Sequence, residues 1–165
     1  MDYLLKKVKE INVVPLTLFN KLNTLVILLA LAEGLTVGCA GVENVNLSGD
    51  EVNGYRNLTP DQAYVLIQES EPLILDVRTL WEYERIHLES AVLLPLGKLV
   101  TEIDELREKF TDRNIVVYCQ SGNRSETAAK LLVENGFSRI FNVRGGLKAW
   151  SVNNYPVVIS NSTAE

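Results

Sequence analysis

The sequence predicts an α/β fold: a central parallel sheet with helices on both faces. Three observations carry that expectation. Short apolar runs rich in β-branched residues, such as Ile115-Val116-Val117-Tyr118, alternate with amphipathic stretches of about ten residues. Two of these runs end at chemically capable side chains, Leu73-Ile74-Leu75 at Asp76-Val77-Arg78 and Ile115–Tyr118 at Cys119. Open parallel sheets place function there, at the carboxyl ends of their strands. No internal repeat or low-complexity segment interrupts the alternation.

The N-terminus stands apart from that pattern. Lys6, Lys7, Lys9 and Lys21 precede an apolar run from Leu25 to Ala32, followed by Gly38-Cys39. Basic, then apolar, then small residues is the order of an export signal. The ending Leu35-Thr36-Val37-Gly38-Cys39 resembles a lipoprotein processing site, so residues 1–38 are expected to be a leader and Cys39 the lipid attachment point. That places the protein in the cell envelope, held to the membrane by its N-terminal anchor. An uncleaved anchor is the alternative, although the apolar run is shorter than the ~20 residues of a spanning helix. Residues 39–54 are small and polar and read as a tether. The folded domain is expected over 55–160, with a disordered tail over 161–165.

Within the domain, Thr59-Pro60-Asp61-Gln62 starts a helix: Thr59 caps, Pro60 suits the first position and Gln62 completes a capping box. Ala63, Leu66 and Ile67 give it an apolar face, and it ends near Glu69, before Pro72. Leu73–Leu75 and Ala91–Leu94 read as short strands. Leu99, Ile103, Leu106 and Phe110 fall at helical spacing over residues 99–110. Ile115–Tyr118 is a third strand, followed by a helix over 127–135 that Gly136 ends. Ile140–Val143 is a fourth, leading through Arg144-Gly145-Gly146 into a last helix through Trp150.

The stretch Cys119-Gln120-Ser121-Gly122-Asn123-Arg124-Ser125 lies between a strand end and a helix start. Backbone N–H groups at such a helix start favour negative charge, and Arg124 adds a formal positive one, so the surroundings favour the thiolate. Gly122 permits a close turn, and the hydroxyls of Ser121 and Ser125 offer hydrogen bonds to the sulfur. Net charge −5 argues against a nucleic-acid partner. One histidine, His87, and two cysteines leave no zinc site, and no cofactor is expected. A thiol–disulfide role is disfavoured because no resolving cysteine lies near Cys119.

These residues together resemble the rhodanese family of sulfurtransferases. The resemblance rests on Asp76-Val77-Arg78, Trp81-Glu82-Tyr83, His87, Ala91, Pro95, Val117-Tyr118-Cys119 with Gly122 and Arg124, Gly136-Phe137, Gly145-Gly146-Leu147, Trp150 and Tyr155-Pro156-Val157. It implies a cysteine that carries a persulfide. Cys119 would take the outer sulfur of a small anionic donor such as thiosulfate and pass it to a thiol, cyanide or protein acceptor. Gln120, Ser121, Gly122, Asn123, Arg124 and Ser125 would bind the donor, with Arg124 stabilising departing sulfite. Asp76 and Arg78 would support the site, ion-pairing with Glu82 or the active loop. A monomer is expected. The rival expectation is a persulfide carrier or docking module without turnover. Cysteine phosphatases resemble this arrangement too, but place five residues between cysteine and arginine where this chain has four. The chain departs from the family at Ile86-His87-Leu88-Glu89-Ser90-Ala91, where Gly-His-Ile-Pro-Gly-Ala is usual, so the turn geometry is expected to differ.

Overall fold

In the computed structural model, residues 49–159 are described. The expected leader, the Cys39 attachment point, residues 39–48 of the tether and the tail lie outside them. Among the described residues, no helix is long and apolar enough to cross a membrane.

Strand β1 (Asp50–Val52) pairs antiparallel with β2 (Tyr55–Leu58). β1 therefore lies inside the segment expected to be tether. All three β1 residues are exposed, so no apolar alternation marks it; backbone pairing and the Arg144–Asp50 ion pair hold this edge. Helix α1 (Pro60–Ser70) starts on the expected capping box: Gln62 N–H donates to Thr59 Oγ1 at 3.3 Å, and Thr59 N–H to Gln62 Oε1 at 3.0 Å. Strand β3 (Leu73–Asp76) leads to a short helix, α2 (Leu80–Arg85). Strands β4 (Ile86–His87) and β5 (Val92–Leu93) follow. The helix expected over 99–110 is divided into α3 (Leu96–Leu99) and α4 (Ile103–Phe110). Leu99, Ile103, Leu106 and Phe110 are all buried, so the periodicity identified the buried face but not the break between the two helices. Strand β6 (Ile115–Tyr118), helix α5 (Asn123–Glu134), strand β7 (Ile140–Val143), helix α6 (Gly146–Val152) and strand β8 (Val158–Ile159) complete the chain.

The main sheet has the order β1-β2-β7-β6-β3-β5, parallel except at β1; β4 and β8 form a separate antiparallel pair. β3 and β6 are buried along their whole length, which is why they read as continuous apolar runs. The period of two divides their side chains between faces. Ile74, Val116 and Tyr118 join one core with Leu66 of α1 and Leu147 and Trp150 of α6. Leu73, Leu75, Ile115 and Val117 turn to the opposite face.

Topology places the site. From β3 the chain moves outward to the edge strand β5, returns to β6 beside β3, and then proceeds to β7 on the other side. The carboxyl ends of β3 and β6 thus flank the point where the winding reverses, where open α/β sheets leave a crevice. Asp76 and Cys119 stand at those two ends.

Candidate active site

Cys119 follows the last residue of β6 and is fully buried. Gly122 N–H donates to its Sγ at 3.1 Å, and the Ser125 hydroxyl lies 3.5 Å from Sγ while also donating to Gly122 O at 3.0 Å. Burial of the thiol is the largest single influence and pushes its pKa up. Hydrogen bonds from the Ser125 hydroxyl and from the N–H groups of Ser125, Ser121 and Gly122 together outweigh it, and the net shift is downward. The turn needs Gly122, whose φ is +100°, in the region that glycine enters without steric cost. Helix α5 starts at Asn123, four residues before the expected 127. Asn123, Arg124 and Ser125 are therefore first-turn helix residues, and their N–H groups have no intrahelical acceptor.

The first turn of α6 sets the orientation of the loop. Leu147 N–H donates to Cys119 O at 2.8 Å and Lys148 N–H to Gln120 O at 3.0 Å. In a trans peptide the carbonyl and the following N–H point in opposite directions. Anchoring Gln120 O on α6 therefore turns Ser121 N–H away from α6 and toward the sulfur. The approach is close: a Cβ on Gly146 would lie 2.2 Å from Cys119 O. Gly146 serves the Cys119 loop by letting another helix touch its backbone.

Asp76 and Arg78 form a buried network beside the loop. Arg78 donates through Nη2 to Asp76 Oδ2 at 2.7 Å and through Nε to both carboxylate oxygens at 3.0 Å. Its Nη2 also meets Ile86 O at 2.6 Å, and Nη1 reaches Gln120 Oε1 at 3.4 Å. Tyr118 donates to Asp76 Oδ2 at 2.6 Å and accepts from Leu88 N–H at 3.1 Å; burial, then the Asp76 charge, holds that phenol well above its ordinary pKa. Asp76 thus accepts from two side chains that lock the ends of β3 and β6. Neither Asp76 nor Arg78 pairs with Glu82; the contact with the loop runs through Gln120.

Glu82 binds the other arginine. Arg124 Nη1 donates to Glu82 Oε2 at 2.8 Å and Nη2 to Oε1 at 2.7 Å, a bidentate pair. Glu82 also accepts from Thr79 N–H at 3.0 Å and from Thr79 Oγ1 at 2.8 Å, completing a capping box at the start of α2. The Arg124 guanidinium is the main cause that lowers the Glu82 pKa, to about 2, with the Thr79 bonds adding to it against the opposing effect of burial. Arg124 therefore stands beside the loop with its charge already met by a carboxylate. The sequence contained the signal for Glu82 as the last residue of a Thr-x-x-Glu box, but that pattern announces a helix start and not a partner 42 residues away.

The sequence matches the rhodanese-like domain family over residues 59–153. This chain belongs to the rhodanese-like family. A protein of Allochromatium vinosum named sulfurtransferase is 33% identical over 93 residues, covering 56% of this chain and 84% of that protein. YrkF of Bacillus subtilis, named provisionally as a sulfur carrier protein, is 40% identical over 78 residues; the match covers 47% of this chain and only 40% of that protein's length. Among solved structures, a rhodanese-related protein of Thermoplasma volcanium superposes with a TM-score of 0.57 at 30% identity, covering 63% of this chain and 98% of the other. The rhodanese-like fold and its mostly parallel sheet are those expected from the sequence.

Of the expected donor-binding residues, Gly122 and Ser125 converge directly on the sulfur, and Ser121 does so through its backbone. The Gln120 side chain turns back to Arg78 instead. Asn123 is exposed, and its carbonyl accepts from Thr127 Oγ1 at 3.3 Å within the helix. At the family departure, Ser90 occupies a left-handed conformation (φ +60°) where glycine is usual. His87 stacks on Tyr83 and pairs through Nδ1 with Tyr83 O at 2.8 Å, a role within the local turn. Trp150 is core, whereas Trp81 lies on the surface under the Arg85 guanidinium.

Proposed function

We propose that this chain is a sulfurtransferase in which Cys119 carries the sulfur as a persulfide. The Cys119 thiolate attacks the outer sulfur of thiosulfate; the S–S bond breaks, its electron pair leaves with sulfite, and Cys119–S–S⁻ remains. An acceptor thiolate or cyanide then attacks the terminal sulfur, forming a new persulfide or thiocyanate and returning the Cys119 thiolate. No net oxidation occurs in either half, and the two halves imply ping-pong kinetics. The observation that carries this reading is the convergence of donors from Gly122, Ser121 and Ser125 on one sulfur. Donors fixed around an anion before it forms need no reorganisation during the reaction. The persulfide sulfur would extend about 2 Å beyond Sγ, toward an incoming acceptor.

The test is mass spectrometry of the full chain after incubation with thiosulfate. Wild type should gain one sulfur atom that cyanide removes, and Cys119→Ser should gain none. Equal gain in both proteins would refute the assignment. The similarity to YrkF favours a second reading, a carrier loaded by a partner enzyme. A thiosulfate–cyanide assay separates the two: a carrier would show the adduct from a protein donor but no catalytic thiocyanate.

A further inference from the structure

The chain caps two helices with the same device and different third residues. In α1 the box is Thr59 with Gln62, and in α2 it is Thr79 with Glu82. Gln62 Oε1 accepts from its cap N–H at 3.0 Å, and Glu82 Oε2 does so at the same 3.0 Å. An amide therefore performs the capping role in this protein as well as a carboxylate. The negative charge of Glu82 is surplus to capping, and it is spent on Arg124 through two bonds of 2.7 and 2.8 Å. The other arginine near the loop, Arg78, has its charge met by buried Asp76.

We propose that Glu82 is a specificity-determining positioning residue, which holds Arg124 as a neutral pair and biases the loop toward organic persulfide donors over thiosulfate. This rests on the sulfurtransferase reading above. Arg124 keeps N–H donors beyond the two that Glu82 uses, so the pair still offers hydrogen bonds beside the loop but no net positive charge. A dianion such as thiosulfate has the most to gain from that charge and loses most by its neutralisation. An organic persulfide is affected less. With R–S–SH as donor, the Cys119 thiolate attacks the terminal sulfur, the donor's S–S bond breaks with its electron pair leaving on R–S⁻, and Cys119–S–SH remains. Charge is conserved, and the leaving group is a thiolate in place of doubly charged sulfite. Glu82 remains ionised throughout the neutral range, so the pair persists under assay conditions.

The experiment compares wild type with Glu82→Gln, which retains the capping geometry already present at Gln62. The rate of sulfur addition to Cys119 is followed by quenched-flow mass spectrometry with thiosulfate and with cysteine persulfide. Glu82→Gln should raise the second-order rate with thiosulfate about tenfold relative to that with cysteine persulfide, the order expected for removing one unit charge from a partly exposed ion pair. The gain should shrink as ionic strength rises. Thr79→Ala weakens the helix cap while keeping the Glu82 charge, and should leave the donor ratio within about twofold of wild type. An unchanged or reduced thiosulfate preference in Glu82→Gln overturns the proposal, as does an equal change in Thr79→Ala. If wild type forms no adduct with either donor, the sulfurtransferase reading itself fails; if wild type is loaded but the ratio does not move, only the role of Glu82 fails.

Discussion

Replacing Gly146 by alanine perturbs the sulfur loop without touching a residue of that loop. The added Cβ would sit 2.2 Å from Cys119 O and 2.9 Å from the carbonyl carbon of Gln120, against backbone atoms that cannot swing aside. Relief requires α6 and the loop to separate by about 1 Å, given ordinary carbon–oxygen contacts of 3.3–3.6 Å. That separation stretches the Leu147–Cys119 and Lys148–Gln120 bonds, now 2.8 and 3.0 Å. Each such bond contributes about 1 kcal/mol, and alanine at φ +56° adds roughly another 1–2. The expected loss of stability is about 3 kcal/mol, measured by urea denaturation. With Gln120 O released, Ser121 N–H is no longer aimed at Sγ, so the Cys119 pKa should rise. Less thiolate is then present at neutral pH, and the rate of alkylation by iodoacetamide should fall and its pH profile shift to the alkaline side. A variant that loses stability but keeps the wild-type alkylation profile would refute the claim that α6 orients the donors. Unchanged stability would refute the steric argument.

Three further outcomes are expected. Asp76→Ala leaves the buried Arg78 guanidinium without its carboxylate and Tyr118 without its acceptor, and should cost about 3–5 kcal/mol in urea denaturation. The apolar pair Asp76→Leu with Arg78→Met should cost much less, because no charge is then stranded. Ser90→Gly should stabilise the protein by roughly 0.5–1 kcal/mol, read as a higher thermal midpoint, because it relieves the left-handed conformation at φ +60°.

Much of this fold was legible because its central strands are short, apolar and bounded by charged or small residues. Ile115–Tyr118 and Ile140–Val143 coincide with the strands expected at those positions, and the Thr59 box marks the observed start of α1. Four strands were not expected. β1 is wholly exposed, the four residues of β2 include two polar ones, Arg56 and Asn57, between its buried Tyr55 and Leu58, and β4 and β8 are two residues each, too short for any periodicity to register. The start of α5 was placed late because Asn123-Arg124-Ser125 is polar, whereas its helicity comes from the Gly122 turn and from packing. At the site, the cysteine and its donors follow from local spacing. The ion-pair assignments do not: Glu82 could meet Arg78 or Arg124 by charge alone, and only the fold decides between them. The role of Gly146 was equally hidden, since its reason is an oxygen atom 27 positions earlier in the chain.

The anchoring of the Cys119 and Gln120 carbonyls on α6 separates reactivity from identity in this loop. The sulfur is held by main-chain N–H groups, one hydroxyl and a glycine turn, while Ser121 and Asn123 are exposed and the Gln120 side chain is tied to Arg78. Ser121 and Asn123 thus form a surface that can be rewritten without altering the thiolate beneath it. On the sulfurtransferase reading proposed above, exchanging both should leave the intrinsic nucleophile unchanged and alter which acceptor it meets.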